Sequence, residues 1–354
     1  MRPTSELLGV DLPIIQAPMA GVQDEALAIA VSAAGGLGSM PCALLSHAQL
    51  EAALRTFAEL PRPINLNFFC HQPAPQDEAR DAAWLKRLAP YYAELGAEMP
   101  KLPLKASIVP FTPATCAVVE QLAPAVVSFH FGLPEPELVA RVKRAGCKVI
   151  SSATSLREAR FLAENGVDAI IAQGAEAGGH RGMFIETDVA TQIGTLALVH
   201  EIVGAVRVPV IAAGGIVDGR GIAAAFALGA AGVQLGTAYL NCPEATISPL
   251  HRAALAEPDR QTVITNVLSG RPARGILTRF VREQGPLNEA IPNYPLATPA
   301  LTPLRAKAEA KGSGDFSLLW AGQSCAPSRN LGAGALTKAL AEEALAELRR
   351  LSAP

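Results

Sequence analysis

The sequence predicts one (β/α)8 barrel that carries a smaller second domain or lid. Short, β-branched apolar runs alternate with Ala- and Leu-rich stretches of helical length, a pattern typical of parallel βα units. Eight such units can be counted, which is the number that closes a barrel, whereas an open doubly wound sheet usually has about five or six strands. The chain has 354 residues, half of them apolar, and can therefore bury a core of that size.

The predicted elements follow one another in the order that a barrel needs. The strands are expected at residues 13–17, 37–40, 64–68, 126–131, 148–153, 169–173, 210–213 and 232–236. Helices are expected between them at 24–34, 136–144, 155–165, 191–204 and 219–228. Several of these helices end at Gly or Asn, which tolerate the left-handed conformation of a helix C-cap.

Two regions depart from this alternation. The connection at about 70–124 is far longer than a βα loop and predicts a helical insertion, with Trp84, Tyr91 and Tyr92 on one helix. Residues 241–315 are Pro-rich and less periodic, which indicates a second domain or lid over the barrel mouth. The barrel is thus expected to span 1–240, and the segment 316–354 to return to it with an amphipathic helix at 334–351.

Composition excludes several classes of function. A net charge of −2 without a dense Lys/Arg block gives no electrostatic footprint for nucleic acid. No apolar run approaches the roughly 18 residues of a membrane span, and no secretory leader is evident, so a cytoplasmic protein without membrane contact is expected. Six scattered cysteines without a CxxC pair predict reduced structural thiols and no metal site. The GxGxxG, GxxxxGK[ST] and HExxH motifs are also absent.

Two glycine loops predict a phosphate site. Loops after the seventh and eighth strands of such barrels commonly bind phosphate, and here they contain Gly214 and Gly215, and Gly236 and Thr237. Glycine lets backbone N–H groups approach an anion closely, and a helix starting near Asp218 would add its dipole. A glycine pair alone can equally make a tight turn, but two such loops at the two expected strand ends favour phosphate.

The segment after the sixth strand, AQGAEAGGHRG, predicts the reaction centre. Gln173 can hydrogen-bond the edge of a planar heterocycle, and Gly178 and Gly179 leave room for a ring against the backbone. His180 follows at once, and its ordinary pKa lets it act as a base or carry positive charge beside an anion. The alternative is a loop histidine that only makes local hydrogen bonds.

Residues at the ends of other strands are further candidates for contact with a ligand. At the first strand, Ala17, Pro18 and Met19 could meet a flat ring, although core packing explains Met19 equally well. Asn67 is a polar residue inside the apolar run INLNFF and could bind polar atoms of a ligand. His130, at the end of the fourth strand, is a second pocket candidate, with a buried histidine satisfied by its neighbours as the alternative.

Taken together, these segments resemble the nitronate monooxygenase family, formerly called 2-nitropropane dioxygenases. The resemblance runs from Leu12 to about Gln323 and is carried by PIIQAPMAG, AGGLGSM, INLNFF, SFHFGLP, AQGAEAGGHRG, PVIAAGGI, GVQLGT, SGRPARGI and LLWAGQ. SFHFGLP and the long second-domain segments are similar to the larger class of this family, which works without a nicotinamide cofactor.

The resemblance implies a cofactor and a reaction. FMN is implied in contact with Asn67, Gln173, Gly178, Gly215, Gln234, Leu235, Gly236 and Thr237. His180 would be the catalytic histidine, His130 a pocket residue, and Tyr294 in PNYP a tyrosine beside the substrate. Thr298 stands where another aromatic is expected, so the pocket would be more open or polar.

The implied reaction is the oxidation of an alkyl nitronate, such as propionate 3-nitronate, by O2 to a carbonyl compound and nitrite, in a monomer or homodimer. Protonated His180 would hold the nitronate oxygens, and with a neutral nitroalkane the same imidazole would remove the α-proton.

Three other functions are alternatives to nitronate oxidation. An NAD(P)H-dependent FMN reductase, acting on quinones or enoyl-acyl-carrier-protein, fits the same scaffold. An enzyme like inosine monophosphate dehydrogenase would need a nucleophilic Cys after the sixth strand, where none stands. A non-catalytic flavin- or phosphate-binding module gives no reason for His180. The basic segment SGRPAR (269–274) could bind an acidic partner, but ordering the second domain is favoured.

Overall fold

The eight strands that the sequence predicts form one closed parallel sheet. The computed structural model describes residues 4–58, 60–73, 75–106, 108–325 and 329–352. Its strands are β1 (Ile14–Gln16), β2 (Gly38–Pro41), β3 (Ile64–Phe69), β4 (Val126–His130), β5 (Lys148–Ala153), β6 (Ala169–Gln173), β7 (Gly179–His180), β8 (Val210–Ala213), β9 (Gly232–Leu235), β10 (Thr262–Thr265) and β11 (Ala273–Ile276).

The sheet order is β1-β9-β8-β6-β5-β4-β3-β2, and a parallel bridge between Ile15 and Leu37 joins its two edges. The ring confirms the predicted (β/α)8 barrel, and every barrel strand begins and ends within one residue of its prediction.

Alternation along the strands separates the two faces of the barrel wall. Ile14 and Ile170 pack outward in the large core beneath the surrounding helices, whereas their neighbours Ile15 and Ile171 belong to a separate inner cluster. Successive side chains of a strand point to opposite faces, so each strand supplies both cores. Leu8, at the end of the first helix, joins the inner cluster and helps to close the barrel floor.

The helices surround this barrel. They are α1 (Thr4–Leu8), α2 (Glu25–Ala33), α3 (His47–Ala58), α4 (Glu78–Leu95), α5 (Pro113–Leu122), α6 (Pro136–Arg144), α7 (Leu156–Glu164), α8 (Thr195–Ala205), α9 (Gly219–Ala227), α10 (Pro249–Ala256), α11 (Arg279–Gln284), α12 (Ala297–Ala310) and α13 (Ala333–Ser352). One prediction started too early: α8 begins at Thr195 because its N–H donates to the carboxylate of Glu176, while residues 189–191 form a separate 3-10 turn. The closing helix α13 packs against α9 and α2.

A second hydrophobic cluster lies outside the barrel. It joins α4, from the long connection after β3, to α12 and to the chain around Phe280 and Phe316. Trp84 is fully buried in it, and the hydroxyl of Tyr92 donates to the carbonyl oxygen of Ala300 at 2.6 Å. Segments that are about 200 positions apart in the sequence therefore share one core.

A small antiparallel sheet links this second region to the barrel. Its order is β10-β11-β7, and β7 belongs to the segment that follows β6. The sequence pattern predicted a loop there, since two residues are too few to show the alternation of a strand. In the part of the chain that is described, no helix is both long and apolar enough to cross a membrane.

Candidate active site

A cavity of about 660 Å³ opens at the carboxyl ends of the barrel strands and reaches the second region. Nearly all the predicted site residues line it: Ala17, Pro18, Met19, Asn67, His130, Gln173, Gly178, Gly179, His180, Gly214, Gly215, Gln234, Gly236, Thr237 and Tyr294. Its volume lies within the usual range for a cofactor or ligand pocket.

The side chain of Leu235 faces away from the cavity, so the implied FMN contact would have to come from its backbone. Its side chain is 1% exposed and packs in the outer core, because it alternates with Gln234 along β9 and so faces the other way. Its carbonyl oxygen accepts a hydrogen bond from the N–H of Ala17 at 2.8 Å, which ties the first and last strands together at the cavity floor.

One end of the cavity is built from backbone. Gly214 and Gly215 have φ angles of 117° and 71°, which L side chains rarely adopt. The N–H groups of Gly215 and Thr237 donate to no acceptor among the described residues. Helix α9 begins just beyond, where the carboxylate of Asp218 accepts from the N–H of Gly221 at 2.9 Å. Free N–H groups beside a helix N-terminus can bind a phosphate.

A returning segment of the chain covers this end. The N–H of Gly322 donates to the hydroxyl of Thr237 at 2.9 Å, and the N–H of Gln323 donates to the carbonyl oxygen of Glu176 at 2.9 Å. Ser324 then lines the cavity. Reasoning from residue types gave this segment no role, because nothing in its composition indicates a phosphate contact.

Two amide side chains present unpaired oxygen atoms to the cavity. Gln234 Oε1 is buried and has no hydrogen-bond partner within the described ranges. The Asn67 amide N–H donates to Ser128 Oγ at 2.9 Å, while Asn67 Oδ1 accepts from no described group. A buried polar atom without a partner is costly, so a ligand that donates to these oxygens would be favoured.

Gln173 lies at the end of β6 and lines the cavity, as predicted, but its side chain also makes hydrogen bonds to the protein backbone. Its Oε1 accepts from the N–H of Gly182 at 2.7 Å, and its Nε2 donates to the carbonyl oxygen of His180 at 3.0 Å. The amide oxygen is thus engaged by the protein's own backbone. Gln173 fixes the segment that carries His180, which the sequence analysis did not foresee.

His180 lies on β7, where it pairs with Ala273, and not in a free loop. Its Nε2 is 2.9 Å from Ser269 Oγ, and the rings of Trp320 and Tyr294 lie 5.5 and 5.6 Å from it. Burial, followed by the fields of His130, Arg271 and His71, lowers the pKa of His180 to about 3. The imidazole is therefore neutral, which differs from the expected protonated form and suits a base.

His130 forms a hydrogen bond with the backbone of His180. A carbonyl oxygen can only accept, so His130 Nε2–H donates to the carbonyl of His180 at 3.1 Å, and Nδ1 accepts from Ser152 Oγ at 3.1 Å. Burial lowers the pKa of His130 to about 4. His130 lines the cavity as predicted, and both of its nitrogens have partners, which was the alternative left open.

Aromatic rings form the opposite wall. The Tyr294 ring lies 5.0 Å from that of His71 and 5.7 Å from that of Phe131, and its buried hydroxyl has no partner in the described structure. The guanidinium of Arg271 lies 3.9 Å from the centroid of Phe131 and 5.9 Å from that of Tyr294. Thr298 also lines the cavity, so this wall carries a hydroxyl where an aromatic ring was expected.

The segment 269–274 makes contacts with two different parts of the molecule. Arg274 donates to the carbonyl oxygens of Ala175 and Thr262, at 2.7 and 3.3 Å, and so joins the second region to the barrel. Ser269 contacts His180, which composition alone could not reveal. Within the described residues, no group of three or more His, Cys, Asp or Glu could hold a metal ion.

A closed parallel barrel with a ligand-sized cavity at the carboxyl ends of its strands, where the active sites of this fold lie, defines a (β/α)8-barrel enzyme. The family model described as nitronate monooxygenase matches residues 2–343. The chain is 45% identical over 349 residues to a nitronate monooxygenase of Paraburkholderia phytofirmans, covering 98% of this chain and 95% of the relative.

Two further comparisons agree. A nitronate monooxygenase of Pseudomonas aeruginosa is 44% identical over 96% of this chain and 98% of its own length. The crystal structure of nitroalkane oxidase from Streptomyces ansochromogenes superposes with a TM-score of 0.89 and 37% identity, covering 99% of both chains. The chain belongs to the nitronate monooxygenase family, as the sequence motifs predicted, and is an oxidoreductase of nitronates.

Proposed function

We propose that this protein binds FMN and oxidises alkyl nitronates, such as propionate 3-nitronate, with O2 to a carbonyl compound and nitrite. The observation that carries the proposal is one continuous cavity, with free backbone N–H groups at Gly215 and Thr237 at one end and the neutral imidazole of His180 at the other. A cofactor with a terminal phosphate and a flat ring fits those two ends.

The residues present fit FMN. Gly215 and Thr237 would hold its phosphate through backbone N–H groups, and the unpaired oxygens of Gln234 and Asn67 would accept from its ribityl hydroxyls or ring N–H. Met19 lines the same space with a soft apolar side chain. When bound, FMN would supply the electron transfer between nitronate and oxygen that no protein side chain here can provide.

The side chains around His180 determine which substrates need it. A nitronate has already lost its α-proton and requires no base. A neutral nitroalkane must lose that proton first, and a neutral imidazole inside the cavity can take it. Gln173 and His130 hold the backbone of His180 in place for this step.

The buried charge of Arg271 favours anionic substrates. Its guanidinium stacks on Phe131 and lies 5.9 Å from the ring of Tyr294, which lines the cavity, and its pKa is lowered chiefly by burial. A positive charge in surroundings of low polarity attracts an anion over a longer range than it would in water. The positive charge that the sequence analysis assigned to His180 is thus supplied by Arg271.

The test is nitrite release in air from FMN-loaded protein. Purified protein should take up FMN with a yellow visible spectrum and should release nitrite from propionate 3-nitronate. A protein that is colourless once unbound FMN has been removed, or that binds FMN without releasing nitrite, would contradict the proposal.

The second candidate, an NAD(P)H-dependent FMN reductase, is separated by one measurement. Under anaerobic conditions, NADH or NADPH should leave the visible absorbance of the bound flavin unchanged if the protein works without a nicotinamide cofactor. Rapid bleaching by either nucleotide would favour the reductase.

A further inference from the structure

Ser269 makes three hydrogen bonds that involve one hydroxyl group. Its Oγ lies 2.9 Å from His180 Nε2, donates to the carbonyl oxygen of Arg271 at 3.2 Å, and is approached by the N–H of Arg271 at 3.4 Å. The side chain is buried, with 2% of the residue exposed.

The number of protons decides the direction of each bond. A serine hydroxyl has one proton and two lone pairs, and a carbonyl oxygen can only accept. Two neighbours can take the Ser269 proton, the Arg271 carbonyl and His180 Nε2, but only His180 can also donate, and no other described group donates to the Arg271 carbonyl. Assigning the proton to the Arg271 carbonyl pairs every group, and the Ser269 lone pairs then accept from the Arg271 N–H and from His180. His180 must then carry its proton on Nε2, which leaves Nδ1 as the nitrogen with a free lone pair.

The rest of the surroundings agrees with this assignment. Nδ1 of His180 has no hydrogen-bond partner among the described residues, while its residue lines the cavity. The ring is also held from outside: His130 and Gln173 bind the backbone carbonyl of His180, and Trp320 and Tyr294 confine the ring. Ser269 therefore has little to do with where the ring lies and much to do with which nitrogen is protonated.

We propose that Ser269 is a positioning residue that fixes the tautomer of His180, so that Nδ1 is the atom that removes the α-proton of a neutral nitroalkane. The inference rests on the proposed function. In the step, the α C–H bond breaks, its proton moves to Nδ1, and its electron pair forms the C=N bond of the nitronate, whose negative charge goes to the nitro oxygens. Ser269 Oγ keeps accepting from Nε2–H in the imidazolium that results, so the same contact stabilises the charged form.

The kinetic test compares a neutral nitroalkane with its preformed nitronate in FMN-loaded Ser269→Ala. With nitroethane, kcat/KM should fall about tenfold or more, because the tautomer is no longer fixed and the imidazolium loses one hydrogen bond. With ethyl nitronate, kcat/KM should stay within about twofold, since no proton is removed. An equal loss with both substrates would mean a merely structural role and would overturn the inference.

Ser151→Ala is the matched control. Ser151 is also a fully buried serine, and its hydroxyl lies 2.9 Å from the carbonyl oxygen of Gly132 and 3.1 Å from that of Phe129, with no hydrogen bond to a histidine among the described residues. Both substrates should be turned over by this variant as by the wild type. Ser269→Thr keeps the hydroxyl and should restore nitroethane turnover relative to Ser269→Ala.

A spectroscopic readout separates the inference from the proposed function. In FMN-loaded protein labelled with ¹⁵N-histidine, the His180 signals, assigned by their loss in His180→Ala, should show Nε2 protonated and Nδ1 unprotonated. Ser269→Ala should move both signals toward the average of two tautomers. A wild type with Nδ1 protonated would refute the inference, even if nitronates are oxidised; a protein that oxidises no nitronate would refute the function, even if the tautomer is as stated.

Discussion

The two ends of the cavity are built in different ways. The end proposed to hold the FMN phosphate, here called the phosphate end, uses backbone groups of two loops, at Gly215 and Thr237, that follow neighbouring strands β8 and β9. The imidazole end uses side chains from distant segments: His130, His180, Ser269 and Tyr294. A backbone site depends on local conformation, whereas a side-chain site depends on the packing of the whole fold. Substitutions at the two ends should therefore fail in different ways, one in cofactor binding and the other in chemistry.

The largest effect is expected at the imidazole end, in His180→Ala. Removal of a general base costs about 10²- to 10⁴-fold, so nitroalkane turnover should nearly vanish while FMN stays bound. Initial rates of nitrite release from nitroethane, together with a visible titration of FMN, would measure both properties. Loss of FMN, or an unchanged rate, would contradict the separation of the two ends.

At the phosphate end, Gly214→Ala should weaken FMN binding by about tenfold or more, because a residue forced to positive φ costs roughly 1–3 kcal/mol unless the loop shifts. Its φ is 117°, and a Cβ there would lie 2.8 Å from Thr195 Oγ1. Fluorescence titration of FMN gives the Kd. Gly204→Ala, in α8 with open space around it, is the matched control and should leave the Kd unchanged. Equal FMN affinity in both variants would show that the loop conformation does not set binding.

The pH dependence tests the neutral state of His180. Only the neutral imidazole can take a proton, and its pKa is lowered to about 3, so protonation removes activity only at pH values well below the ordinary histidine value near 6.5. The groups facing it are His130, His71, Arg271 and the Tyr294 hydroxyl. A profile of kcat/KM for nitroethane should therefore be flat between about pH 6 and 5. A half-maximal point at 6.5 or above would show that the imidazole is protonated more easily than its burial implies.

The smallest effect is expected from Arg271→Gln. Arg271 contributes to the lowered pKa values of His71, His130 and His180, but burial is the larger cause for each. In the pH profile of kcat/KM for nitroethane, activity is lost at low pH, where His180 becomes protonated. Without the charge of Arg271, this loss (the acid limb) should shift to higher pH, but only part of the way to the ordinary histidine pKa. Arg144→Gln, at an exposed ion pair with Glu137, is the control and should leave the limb in place. A limb that stays fixed in Arg271→Gln would assign the shift to burial alone.

The barrel and the positions of the glycine loops could be predicted because their signals are local. A parallel strand buried on both faces has an apolar run of its own, and glycine pairs at strand ends mark where backbone approaches an anion. Residues 148–153, 169–173 and 210–213 were predicted without error for this reason. The contact that the family resemblance implies for Leu235 does not state which face its side chain takes, and the structure turns that side chain into the outer core.

The imidazole end could not be predicted in the same way. Gln173 lines the cavity, as expected of a residue that meets a ligand, but its hydrogen bonds to Gly182 and to the carbonyl of His180 could not be foreseen. The β7 strand exists because residues 273–276 lie beside it, and two residues cannot encode a strand alone. The ionisation of His180 depends on burial and on ionisable groups more than 40 positions away in the chain, such as His130 and Arg271.

The amino-acid sequence by itself determined the eight-stranded barrel, the glycine loops and the family, since period, turn residues and motifs are properties of short segments. Only the tertiary structure decided that His180 is neutral, that Gln173 and His130 support it, and that Ser269 touches its Nε2. The physical reason is that hydrogen-bond partners and the polarity around a charge are set by neighbours in space, which the folding of distant segments brings together.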